Sequence, residues 1–160
     1  MRGRPLWIIA LLLGLAACSS STDSTDGETN EFHFSLYSFD TLRTADTVPQ
    51  AADTAWWERD FPADSMAQRF SSVYFSARLA SSDSTADCIA DVYNLTDNAV
   101  IPGSEVRWSA IPAPRDSNEV RSGNLINAIP RKRVTLVLRI RSTKFGANVE
   151  ARRAELVYVR

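Results

Sequence analysis

The strongest pattern along this chain has a period of two. Phe32, Phe34 and Leu36 alternate with His33, Ser35 and Tyr37, and Val73, Phe75, Ala77 and Leu79 alternate with Tyr74, Ser76 and Arg78. Val106, Trp108 and Ala110 alternate with Arg107 and Ser109. Val134, Leu136, Leu138 and Ile140 alternate with Thr135, Val137, Arg139 and Arg141, and Leu156 to Arg160 reads as a last strand. Successive side chains of a strand point to opposite faces, so this alternation predicts strands with one face buried and the other in water. Breaks at Pro102-Gly103, Pro112-Ala113-Pro114, Gly123, Pro130 and Gly146 separate the runs. The expected class is all-β and antiparallel, with about seven strands in two packed sheets. One stretch departs from the pattern. Val48-Pro49 and Phe61-Pro62 interrupt it, and Asp53-Thr54-Ala55-Trp56-Trp57-Glu58-Arg59-Asp60 suits one or two helical turns capped by Asp53, so a short helix is expected in the 50–66 connection.

The first residues follow a different grammar. Met1-Arg2-Gly3-Arg4-Pro5 is basic, and Leu6 to Leu13 is an apolar run that stops at Gly14. Such a run falls short of the roughly 20 helical residues that span a bilayer, and so reads as a leader that is cut off. Leu15-Ala16-Ala17-Cys18 follows and resembles the lipobox of bacterial lipoproteins at all four positions. The resemblance implies that residues 1–17 are a cleaved signal peptide. It also implies that Cys18 carries a diacylglyceryl group on sulfur and an acyl chain, such as palmitate, on its new amino group. No other cofactor is expected. Ser19 stands where a subset of the family carries an Asp that retains the protein in the inner membrane, so the family rule favours the outer membrane. Two or three acyl chains hold a protein durably where a single chain does not.

Residues 18–30 continue as Ser-Ser-Ser-Thr-Asp-Ser-Thr-Asp-Gly-Glu-Thr-Asn after the Cys, with nothing to bury, and read as a flexible polar tether. The folded domain is expected over 31–160. Within it Ile89 to Trp108 resembles the strand, Asn-rich turn and strand of envelope immunoglobulin-like modules, which implies an immunoglobulin-like two-sheet sandwich. With Cys18 acylated, Cys88 is the only remaining thiol, so no internal disulfide forms, and its strand setting reads as a small buried hydrophobe.

The formal net charge of −1 hides a polarity along the chain. Residues 18–100 carry 14 acidic and 4 basic side chains, and residues 101–160 carry 5 and 12, giving about −10 and +7. Two readings follow. Outward Asp87 and Asp91 could pair with Arg139, Arg141 or Arg153 on neighbouring strands. Alternatively Arg131, Lys132, Arg133, Arg139 and Arg141, with Arg152 and Arg153, could form a basic face for an anionic envelope partner. Export argues against nucleic acid as that partner.

Catalytic chemistry has little to stand on. His33 is the lone imidazole, and no Gly-x-Ser-x-Gly elbow, HExxH helix or Cys/His cluster accompanies it. Asp87 and Asp91 lie about 13 Å apart on one strand face, too far to act on one bond. No acidic run has the spacing of a calcium loop, so no metal site is expected. Trp56 and Trp57 are candidate sugar-stacking residues, although adjacent side chains diverge and cannot form one platform unaided. The expectation is a non-enzymatic lipid-anchored envelope protein, structural or protein-binding, with a tethered carbohydrate-binding module as the alternative.

Overall fold

A computed structural model describes residues 30–37, 41–52, 60–61, 70–109 and 119–160. The strands are β1 (Glu31–Tyr37), β2 (Leu42–Thr44), β3 (Gln50–Ala51), β4 (Asp60–Phe61), β5 (Ser72–Ser81), β6 (Asp87–Asn94), β7 (Ala99–Val100), β8 (Val106–Ser109), β9 (Glu119–Arg121), β10 (Val134–Ser142) and β11 (Val149–Val159). All pairings are antiparallel. The chain is an all-β, two-sheet antiparallel sandwich.

Several short strands are pieces of one ribbon. β1 pairs with the end of β11 and β2 with its beginning. β3 and β4 lie on opposite ends of β10, and β7 and β8 on opposite ends of β6. Counted this way the described residues form eight ribbons, and in chain order the sheets run 1-8-3-6 and 2-7-4-5. Consecutive ribbons repeatedly cross between the sheets, and the last closes beside the first. This is jelly-roll connectivity: the two-sheet sandwich is as expected, and its strand order differs from the immunoglobulin-like one that the resemblance implied.

Of the expected inward series, those of β5 and β10 are buried, whereas Phe34, Leu36 and Trp108 are half-buried and Phe32 is exposed. Val73, Phe75, Ala77 and Leu79 of β5 face Cys88, Ala90 and Val92 of β6 and Val134, Leu136, Leu138 and Ile140 of β10. β11 adds Val149, Ala151, Ala154, Leu156 and Tyr158. A register shift between Ala151 and Arg153 inserts an extra residue, so the inward series restarts at Ala154. That bulge hides the first half of β11 from a period-two search. The extra strands beyond the expected number are two or three residues long, too short for alternation to register.

The expected short helix in the 50–66 connection is not present among the described residues. Gln50–Ala51 and Asp60–Phe61 are strands on β10, where the ladder satisfies their backbone, and 53–59 and 62–66 lie outside the described residues. Residues 1–29, with Cys18 and the tether, also lie outside them. Among the described residues no helix is long and apolar enough to cross a membrane.

Candidate functional site

On the outer face of the second sheet Arg139 and Arg141 are paired with carboxylates. Asp91 of β6 is 2% exposed although it points away from the core. Arg139, its partner across the ladder, donates from Nε at 2.9 Å and Nη2 at 3.1 Å to the two carboxylate oxygens. The fork geometry of guanidinium on carboxylate makes this a strong, oriented pair. The same guanidinium lies 3.9 Å from the centre of the Tyr93 ring. Arg141 reaches Asp91 at 3.7 Å and Glu105 at 2.7 Å, and Arg107 pairs with Asp87. Arg139 and Arg141 are thus held by cross-strand carboxylates, as the pairing alternative expects.

The outer face of the first sheet is cross-linked in the same way. Successive strands place Ser35, Glu155, Ser76 and Arg121 in one row, and His33, Val157 and Tyr74 in the next. His33 Nδ1 lies 2.9 Å from Glu155, and Nε2 lies 3.5 Å from Glu31. Arg121 crosses Tyr74 to reach Glu31 at 3.3 Å. Ser76 donates to Glu119 at 2.7 Å, and Arg153 pairs with Glu155. The Ser76 hydroxyl, helped by Arg78, Arg153 and Arg121, holds the Glu119 carboxyl below the usual carboxylate range. Cys88 is buried as expected, and desolvation pushes its thiol up to about 12. Among the described residues no group of His, Cys, Asp or Glu has metal-binding geometry.

The two ends of the sandwich differ from these paired faces. At one end, termed here the entry end, the chain comes in at Asn30, whose carbonyl accepts from the Arg160 N–H at 3.3 Å. The turn 94–98 and residues 130–133 close the second sheet at this end, tied by Leu95 N–H to the Thr135 carbonyl and by Lys132 to Asp97. Arg131, Lys132 and Arg133 are exposed there, together with Leu95, Val100 and Phe32. The Arg160 guanidinium covers the Phe32 ring at 4.8 Å.

The opposite, loop end gathers the connections 45–49, 82–86 and 143–148. Gly146 N–H donates to the Ala45 carbonyl, Ser142 N–H to the Asp46 carbonyl and Ser82 N–H to the Asn148 carbonyl, so the three loops form one surface. Gly146 adopts φ +83°, the left-handed region that glycine enters at no steric cost, and so lets this turn close. Lys144 bridges to Asp83, and with the Thr85 hydroxyl and N–H holds that carboxyl far below its ordinary range. Above this ordered base Phe145 stands 77% exposed and Val48 66% exposed, the highest values among the large apolar side chains described. Neither fell in a periodic run. A Phe between Lys144 and Gly146, in a turn where Ala147 is the only apolar residue two positions away, is the available signal.

Of the remaining sequence candidates, Cys18, Trp56 and Trp57 lie outside the described residues. Arg131, Lys132 and Arg133 sit together at the entry end, apart from Arg139 and Arg141 on the sheet face.

No protein-family model and no curated protein matches the chain. Among solved structures it is similar to a chain described as "Structure of infectious bursal disease virus Gx strain", with 12% identity and a TM-score of 0.43 over 81% of this chain and 31% of that one. A chain described as "Structure of infectious bursal disease virus Gt strain" gives 14% identity and 0.39 over 99% of this chain and 38% of that one. The chain therefore spans about a third of the length of these neighbours, and likeness at this level carries no argument here.

Proposed function

We propose that this protein is a lipid-anchored module of the bacterial cell envelope, seated in the outer membrane through Cys18, that offers its loop end to a protein partner. The observation that carries the partner-binding reading is the placement of Phe145 and Val48. The two most exposed large apolar side chains described share one end of the sandwich, on loops bonded to one another, opposite the end where the chain enters. From Val159 to Val149 β11 spans about 33 Å, so a partner met at the loop end stands clear of the anchor. An apolar centre with a polar rim is the composition of a protein-binding patch, and Thr47, Ser84, Thr85, Thr143 and Asn148, with the Lys144–Asp83 pair, supply that rim.

The anchor and the contact are tested separately. Cys18→Ser abolishes incorporation of labelled palmitate and releases the protein from the membrane fraction; persistent labelling overturns the lipobox reading. A photo-crosslinking residue at position 145 of the full chain, in its native envelope, gives a discrete product that the same residue at exposed Arg131, at the opposite end, does not. Equal products at both positions overturn the loop-end contact. Competition of the product by soluble glycans would transfer the reading to a carbohydrate-binding module that uses Trp56 and Trp57.

A further inference from the structure

We infer that Thr47 and Ser84, at the loop end, are acceptor sites for O-linked glycans. Seven of the 12 Asp residues, at 23, 40, 46, 53, 64, 83 and 116, are followed directly by Ser or Thr, where 29 Ser and Thr among 160 residues predict about two. In six of the seven the third residue is apolar or Thr. Two of these pairs, Asp46-Thr47 and Asp83-Ser84, lie wholly within the described residues, and both stand in the loops that carry Val48 and surround Phe145. Eight hydroxyl side chains lie in these loops or at the strand ends beside them. Those of Thr44, Ser81, Ser82, Thr85, Ser142 and Thr143 each bond to a backbone group or to the Asp83 carboxylate. Those of Thr47 and Ser84 are exposed and make no hydrogen bond among the described residues. The two hydroxyls that the fold leaves unused are thus the two that follow an Asp.

Turn chemistry accounts for only part of the pattern. The Asp83 carboxylate accepts from the N–H and hydroxyl of Thr85 two residues on and pairs with Lys144, which explains the Asp and leaves Ser84 without a task. At 46–47 it explains neither side chain, since among the described residues neither the Asp46 carboxylate nor the Thr47 hydroxyl bonds to the fold. A carboxylate beside a free hydroxyl gives an enzyme a charge to hold and a nucleophile one residue away. Export selects the group transferred, and here the inference rests on the lipid-anchor reading. Outside the cytoplasm no nucleoside triphosphate supplies a phosphoryl group, whereas a sugar carried on a membrane lipid through phosphate brings its own leaving group. In the transfer, Oγ of Ser84 or Oγ1 of Thr47 bonds to the anomeric carbon. The bond from that carbon to the phosphate oxygen breaks, its electron pair stays with the phosphate, and the hydroxyl proton passes to a base of the transferase. Both sites border the apolar pair, so the sugars belong to the rim of the loop-end contact surface.

The test uses the full chain isolated from its native envelope. Intact mass and electron-transfer fragmentation, which leaves sugars on their side chains, read positions 18, 47 and 84 together. Sugar masses are expected at Thr47 and Ser84, with none at the bonded hydroxyls of Ser82 and Thr143. Thr47→Ala and Ser84→Ala each remove one glycan, and Thr47→Ser keeps it. Asp46→Asn slows transfer to Thr47 about tenfold in pulse labelling, the worth of one bond to a charged group. An equal rate in that variant overturns the inference, because it separates the site from the Asp pattern that identifies it. A phosphate mass at either hydroxyl, or equal sugar at Ser82 and Thr143, overturns it too. The anchor is read separately in the same spectra. Bare hydroxyls on a chain with acylated Cys18 overturn the glycan alone, and bare hydroxyls on a chain without the acyl mass overturn both. Sugars on a chain without the acyl mass support the glycan and refute the anchor.

Discussion

Asp91→Asn is the sharpest test of how the charged faces hold this sandwich together. The carboxylate is 2% exposed and accepts two bonds from Arg139, at 2.9 and 3.1 Å, with Arg141 at 3.7 Å. Asn keeps the shape but loses the charge, and its NH2 group meets guanidinium donors where an acceptor stood. Removing one member of a fully buried pair costs about 3–5 kcal/mol. Arg139 and Arg141 remain 16% and 27% exposed, so they regain part of their hydration. The expected loss is therefore about 2–3 kcal/mol. For a domain of this size that lowers Tm by roughly 6–12 °C. Urea denaturation should show the midpoint moving with an unchanged slope. The double variant Asp91→Leu with Arg139→Met removes both charges and should recover at least half of the loss, since an apolar pair avoids the desolvation cost. A single variant within about 0.5 kcal/mol of the parent would refute the reasoning, because it would mean that the pair is hydrated and merely neighbouring.

Three further outcomes follow from the same structure. Phe75→Ala, at a fully buried position facing the second sheet, should cost about 3–5 kcal/mol in urea denaturation, whereas Phe145→Ser at the loop tip should stay within about 0.5 kcal/mol. Cys88 should not react with a thiol reagent at pH 8 in the native state, since burial keeps it a protonated thiol, and should label fully in urea; native labelling at the rate of a free thiol would contradict its burial. Glu119 titrates lower in the folded than in the unfolded chain, so its contribution to stability is present above the unfolded value of about 4.3 and is lost as pH falls through the folded value. Ser76→Ala removes the principal cause of that depression and should shrink the difference in urea midpoint between pH 7 and pH 3.5. An unchanged difference would assign the acid sensitivity to other carboxylates.

The parts of the fold legible in the sequence are those where one strand buries one unbroken face. Val73 to Leu79 and Val134 to Ile140 carry an apolar residue at every second position because each lies in the middle of its sheet, so the inward positions are readable from the sequence. Edge pieces such as Gln50–Ala51 and Ala99–Val100 take their strand identity from the neighbour they pair with, and two residues carry no period. Val137, Val157 and Ile89 are buried although they face outward, which blurs the alternation in the longest strands. The charge segregation along the chain points to Asp91 with Arg139 or Arg141, which forms, whereas Asp87 takes Arg107, outside the expected set, and Arg153 takes Glu155 of its own strand. Which of the two arrangements formed depended on a register that composition does not contain.

The division between the ends and the faces follows from the connectivity itself. In a jelly roll the eighth ribbon lies beside the first, so the place where the chain enters and the place where β11 finishes share one end. The connections 45–49, 82–86 and 143–148 are thereby collected at the other end, where their backbone groups bond to one another and leave side chains such as Val48 and Phe145 free to point outward. The acidic first part of the chain and the basic second part meet edge to edge along β6 and β10, and on the outer face of that sheet their charges are spent on each other. Cations such as Arg131 lie beyond the strand that would have paired them. One topology thus gathers the connections at the two ends and leaves the sheets between them as a paired scaffold.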